Sequence, residues 1–186
     1  MLRDFLQRFR SDDSTQLLYN RIVAQARQPV FYAEFGVPDT LDGRFDMIVL
    51  HIAILMRRLR REGKAGRDTT QALTEAFFAD MDRSLREMGV GDLVVPKRVR
   101  KMAEAFYGRA SAYERALNAE DGETLEAALT RNILGQGESS DRDAARLAVY
   151  VRRAVSGLEG QSFERIAASD IAWPDPGEVS TAPSEE

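Results

Sequence analysis

The chain has 186 residues, 44% hydrophobic and 30% charged, enough for a single domain with a sizeable buried core. It has no cysteine and one histidine, His51, which excludes disulfides, thiolate metal sites, cysteine nucleophiles and histidine-rich metal centres. The formal net charge of −4 is uneven: Asp175, Glu178, Glu185 and Glu186 load residues 174–186 with negative charge and no cation, which leaves the rest near neutral.

Residues 1–10 place Leu2, Phe5, Leu6 and Phe9 on one face of a short helix flanked by Arg3, Arg8 and Arg10. This helix either docks on the body or makes a weak interfacial contact with a membrane. It is too short and too charged for a signal peptide. The early Asp4, Asp12 and Asp13 do not suit a transit peptide, so a cytoplasmic protein is expected, with peripheral contact at the inner membrane as an option. Asp13 and Gln16 resemble a capping box opening a second helix, whose apolar face is Leu17, Leu18, Ile22 and Val23 and which Pro29 ends. Residues 30–39 read as irregular. Their aromatics Phe31, Tyr32 and Phe35 either fold back on the core or form a docking patch.

The central element is the helix expected over residues 43–62. Its apolar run, 45–56, is interrupted only by Asp46 and His51, and is too short to span a bilayer, which takes roughly 20 residues. Phe45, Ile48, Ile52, Leu55 and Leu59 mark its most buried line, and Thr40 or Asp42 caps it. Arg57, Arg58, Arg60 and Arg61 carry its end into water, and Gly63 and Gly66 stop it. A helix starting at Asp68 follows, with Leu73, Phe77, Met81, Leu85 and Met88 as its apolar stripe and Gly89 as its stop. After the connector 93–95, Pro96 opens a helix that buries Val99, Met102, Phe106, Ala110, Tyr113 and Leu117 and loads its surface with Lys97, Arg98, Arg100, Lys101, Arg109 and Arg115. Helices over 123–134 and 141–158 follow, with a polar linker between them, and then a last turn around Phe163 and Ile166. Trp173 is expected to plug the core, ahead of a disordered acidic tail at 174–186. No convincing strand appears. The expected architecture is all-α: one domain over 1–173, about six to eight helices around the central one.

Little in this pattern suits catalysis. His51 lacks a same-face orienting partner and reads as a core residue. Asp80 and Asp82 point about 200° apart on a helix. Asp46, Asp80 and Glu104 could meet only across three helices, without the Glu-x-x-His motif of a di-metal bundle. The glycine pairs follow helices rather than precede them, the wrong order for a phosphate loop. A non-enzyme without cofactor is expected. The basic clusters at 57–61 and 97–101 are either solvated faces or, side by side, a patch for phosphates or acidic protein. Aromatic residues interleave them too thinly for sequence-specific nucleic-acid binding.

Three blocks resemble the ubiquinol–cytochrome c chaperone family. They are DTLDGRFDMIVLH at 39–51 with Arg58-Leu59; QALTEAFFADMD at 71–82 continuing through LREMGVGD at 85–92; and Val95-Pro96-Lys97, Lys101-Met102, AFYGR at 105–109 and Tyr113. Order and spacing match over roughly residues 30–120, and the chain resembles the bacterial members. The resemblance implies an all-helical assembly chaperone of the respiratory cytochrome bc complex that binds newly made cytochrome b, acting with a second assembly factor or the ribosome. The alternative is a basic-surface adaptor for ribosome, RNA or membrane. The matching polar residues, Asp39, Arg44, His51, Arg58, Asp80, Asp82, Arg86, Asp92, Lys97, Lys101, Tyr107 and Arg109, are expected to form a shared partner-binding face. Some of them can instead pair internally, for example Asp80 or Asp82 with Arg44 or Arg109.

Overall fold

Helix α3 (Leu41–Leu59) is the hub. Every residue from Met47 to Leu55 is buried, because α3 packs against α1 (Leu2–Ala26), α4 (Gly63–Glu87), α5 (Val95–Leu117) and α7 (Ser140–Glu159). A helix covered on all sides needs apolar residues around its whole circumference, which the run 45–56 supplies. The computed structural model describes residues 2–118, 123–135 and 140–180, with side chains from 13, 123 and 141 up to 118, 135 and 179. Among them there is no strand, and the architecture is a single helical domain.

The Thr40 hydroxyl accepts from the Gly43 amide at 3.1 Å and caps α3. Its far end tightens into a 3₁₀ turn, Arg60–Glu62, and Gly63, at φ 55°, reverses the chain. Gly66 does not stop α3, as expected from the sequence; it lies inside α4, which begins five residues before Asp68. A Cβ on Gly66 would sit 1.9 Å from the Leu59 carbonyl oxygen, so this glycine lets the first turn of α4 cross the last turn of α3.

Two more boundaries differ. The separate helices expected over 1–10 and from Asp13 form one element, α1. Nothing between Ser11 and Thr15 is Gly or Pro, and a capping preference of about 1 kcal/mol does not break a helix. The side chains of 1–12, and with them the proposed amphipathic face, lie outside the described residues. The stretch read as irregular contains α2 (Pro29–Glu34), opened by Pro29 at its first position. It turns Phe31 and Phe35 fully inward, while the half-buried Tyr32 donates to the Ala26 carbonyl at 2.9 Å.

In the last third, α6 (Leu125–Leu129) runs on into a π turn, Thr130–Leu134, which keeps Leu125, Ala128, Leu129 and Ile133 inside. α7 buries Ala144, Leu147, Ala148, Val151 and Leu158, and also Tyr150. Beyond α8 (Phe163–Ala167) an extended strap returns across the core, held where the Gln161 amide both donates to the Ala172 carbonyl and accepts from its N–H, each at 2.8 Å. The acidic tail expected to be disordered from 174 instead forms α9 (Pro176–Ser180), which buries Val179 against α7. Residues 181–186 lie outside the described residues.

Candidate functional site: the α4–α5 groove

Helices α4 and α5 lie side by side in opposite directions over α3. Phe77 and Phe78 meet Phe106 at ring-centroid distances of 5.3 and 5.5 Å, and Phe78 meets Tyr107 at 6.4 Å. Phe45 of α3 joins from below, 5.7 Å from Phe77. The series runs from the core to the surface, and its last member, Tyr107, is 56% exposed. Beside Tyr107 opens a groove of about 670 Å³ with Met56 and Phe78 as apolar walls, Thr70 and Thr74 along α4, and Arg60 and Arg67 at its mouth. That volume suits a few apolar side chains.

The polar residues matching the family blocks do not gather into one face. Asp39 and Arg44 pair at 2.7 Å on the surface before and within the first turn of α3. Asp82, Arg86 and Asp92 form a surface cluster at the α4–α5 turn, where the Arg86 guanidinium holds the Asp82 carboxyl below its usual range. Asp80 accepts from Tyr19 at 2.8 Å and pairs with Arg83. Arg58 is 8% exposed and donates to the Leu158 and Gln161 carbonyls at 3.0 and 2.8 Å, so it anchors the turn between α7 and α8. The pairings suggested from sequence, Asp80 or Asp82 with Arg44 or Arg109, are replaced by these shorter-range ones and by Arg109 with Asp46. Lys97, Lys101 and Tyr107 are exposed on α5.

His51 is wholly enclosed. Its Nδ1 lies 2.8 Å from the Met47 carbonyl, which only accepts, so Nδ1 carries the proton. Nε2 then accepts from the Tyr150 hydroxyl at 2.8 Å, and Tyr150 in turn accepts from Gln25 Nε2 at 3.0 Å. Gln25 also reaches the Pro174 carbonyl at 3.2 Å, and the Trp173 ring stands edge-on 5.1 Å from His51. Burial lowers the His51 pKa to about 4, which keeps the imidazole neutral. This chain of donors ties α1, α3, α7 and the strap together.

On the opposite side of α3, Asp46 is 6% exposed, and burial raises its pKa to about 7 against the pull of Arg109. Arg109 Nη2 approaches Asp46 Oδ1 at 3.1 Å but is not aligned as a hydrogen bond, so that oxygen lacks a donor. The buried Arg109 Nε and Tyr113 hydroxyl also lack partners within the protein. Arg109 lies over the Phe45 ring at 5.6 Å, which places this cluster against the aromatic series.

No group of three metal-ligating side chains comes together among the described residues. Asp46, Asp80 and Glu104 each pair with a different arginine, Arg109, Arg83 and Arg100. Of the two basic clusters, the first is tied up inside the chain: Arg57 and Arg60 share Glu114, and Arg61 pairs with Glu159. No described helix is long and apolar enough to cross a membrane.

The family model for ubiquinol–cytochrome C chaperones matches residues 33–173, most of the chain. The chain belongs to that family. The match runs well past residue 120, where the recognisable blocks end, and takes in α6, α7 and the strap with Trp173. The crystal structure of the Cbp3 homologue from Brucella abortus has the same fold, at a TM-score of 0.80 and 41% identity, covering 96% of this chain and 98% of that one. The ubiquinol–cytochrome-c reductase complex assembly factor 1 of Xenopus laevis is 26% identical over 84% of this chain and 78% of its own length. The human protein of that name is 25% identical over 84% of this chain but only 52% of its own length, so this chain spans about half of it.

The sequence reading missed Met56, Arg67 and Phe78 as groove residues and Tyr150 as the partner of His51. Phe78 carried a visible signal: it is off the α4 stripe, next to Phe77, and such an aromatic faces either a second partner or solvent. For Tyr150 there was none, because its pairing spans 99 residues of sequence.

Proposed function

We propose that this protein is an assembly chaperone of the respiratory cytochrome bc complex, that it holds newly made cytochrome b, and that the α4–α5 groove takes an apolar segment of that client. The observation that carries the first part is membership of the chaperone family over residues 33–173. The groove is put forward for the second because it is an open apolar surface, with Phe78 and Tyr107 on one side and Met56 on the other. A chaperone for a membrane protein must cover apolar residues reversibly. An exposed aromatic beside an apolar floor does so without catalysis or a cofactor. The proposed place of action is the cytoplasmic side of the inner membrane, where the client is inserted, with a second assembly factor or the ribosome as a further partner.

The test is capture of cytochrome b by the tagged protein in its own host, comparing wild type with Tyr107→Ala combined with Thr70→Arg. Both positions line the groove and neither is fully buried, so helicity and melting temperature stay close to wild type. Cytochrome b recovered with wild type and lost from the variant supports the reading. Equal recovery moves the client off the groove, and absence from the wild-type sample overturns the client itself.

A further inference from the structure

The hairpin tip between α4 and α5 leaves apolar residues in water. Leu93 is 96% exposed, Met88 52% and Val94 45%, and Leu41 at the start of α3, which lines the shallow groove below the tip with Met88 and Val94, is 69% exposed. A burial-driven fold normally avoids such a patch unless it meets something. Immediately behind it, on the first two turns of α5, Lys97, Arg98 and Lys101 make no ion pair or side-chain hydrogen bond with any described residue. The other cations near the tip are matched: Arg86 holds Asp82 and Asp92, and Arg100 holds Glu104. Asp42 and Glu87 remain as the unpaired carboxylates at this end and Arg86 faces two, so the three free cations stand on a tip whose charges otherwise balance them.

We propose that the α4–α5 tip docks on an anionic lipid bilayer, with Leu93, Val94 and Met88 entering the headgroup–acyl boundary and Lys97, Arg98 and Lys101 meeting the lipid phosphates. The order of the groups favours a bilayer. Apolar residues lead, and cations with long apolar stems follow one turn behind, at the depth where lysine and arginine reach phosphates. This surface is distinct from the client groove. Leu93 precedes Tyr107 by 14 residues, so the tip and the groove are about 20 Å apart along α5, at 1.5 Å per residue. A chaperone seated by its tip would then hold the groove close to the membrane surface where an apolar client segment emerges.

The experiment is sedimentation of the purified full chain with vesicles of phosphatidylcholine, alone or with phosphatidylglycerol at about a quarter of the lipid. Wild type is expected to bind the anionic vesicles, more weakly as salt rises, and the neutral ones poorly. Lys97→Glu with Lys101→Glu should weaken anionic binding about a hundredfold, and Leu93→Asp should weaken it about tenfold. Arg142→Glu with Arg153→Glu, the same charge change on exposed positions of α7, should bind as wild type does. All these side chains are exposed, and circular dichroism confirms that each variant is folded. Wild type failing to bind anionic vesicles, tip variants binding as wild type does, or the α7 control losing as much as the tip variants would each overturn the proposal. Because no client is present in this assay, its result is separate from that of the cytochrome b capture.

Discussion

The two polar clusters that α3 buries are satisfied to different degrees. Toward α7 and the strap, His51, Tyr150 and Gln25 form a continuous chain in which each donor has an acceptor, and only the Trp173 indole N–H beside it lacks one. Toward α5, Asp46 Oδ1, Arg109 Nε and the Tyr113 hydroxyl are equally hidden and lack protein partners. A satisfied buried network contributes to packing, whereas a buried group without a partner costs about 1–3 kcal/mol. The less satisfied cluster is the one beside the aromatic series.

The largest expected effect breaks this contrast with one substitution made twice. Tyr150→Phe removes the hydroxyl shared by His51 and Gln25, and should cost about 2–3 kcal/mol in chemical denaturation. Tyr113→Phe removes a hydroxyl that has no partner, and should change stability by less than about 0.5 kcal/mol or improve it. Equal losses from both would mean that the two sides do not differ.

Next comes pH, where the two buried groups act with opposite sign. His51 is neutral in the fold down to about 4, against 6.5 when unfolded. The unfolded chain therefore binds more protons between those values, and this term makes stability fall as pH falls. Asp46 ionises near 7 in the fold, against 3.8 when unfolded. The folded chain binds more protons in that window, so this term makes stability fall as pH rises. From about pH 4 to 6.5 the two oppose each other, each at up to about 1.4 kcal/mol per pH unit. Relative to wild type, His51→Gln should slope downward with rising pH and Asp46→Asn upward, as read from denaturation midpoints across that range. Parallel profiles for the two variants would show that the buried charges are not held as described.

The smallest effect on stability is expected at the groove rim. Tyr107→Ala should stay within about 0.5 kcal/mol of wild type, because more than half of the side chain is already in water. A large loss of stability there would make the aromatic series a structural element rather than an open surface.

Much of this was legible from residue order alone. The apolar run 45–56 required a helix covered on all sides, the stripes of α4 and α5 named core residues such as Leu73, Phe77, Phe106 and Tyr113 but also the exposed Met88 and the half-buried Val99, Met102, Ala110 and Leu117, and three short blocks pointed to the family. These are local signals: a helix repeats every 3.6 residues, so its buried face is written into spacing. Boundaries were less legible, because a cap or a glycine expresses a preference of about 1 kcal/mol that tertiary contact overrides, as at Asp13 and Gly66. The candidate site was legible only in part. Tyr107 was one of twelve matching polar residues, but most of the others proved to be scattered into separate pairs or buried, and Phe78 joined the groove only once α5 lay beside α4. What tertiary structure alone decided is which polar groups found partners. His51 and Asp46 sit five residues apart on one helix, one satisfied and one not, because Tyr150 arrives from 99 residues away while Arg109 arrives misaligned. Periodicity specifies which face turns inward, but the partner that meets it is set by packing between segments distant in sequence.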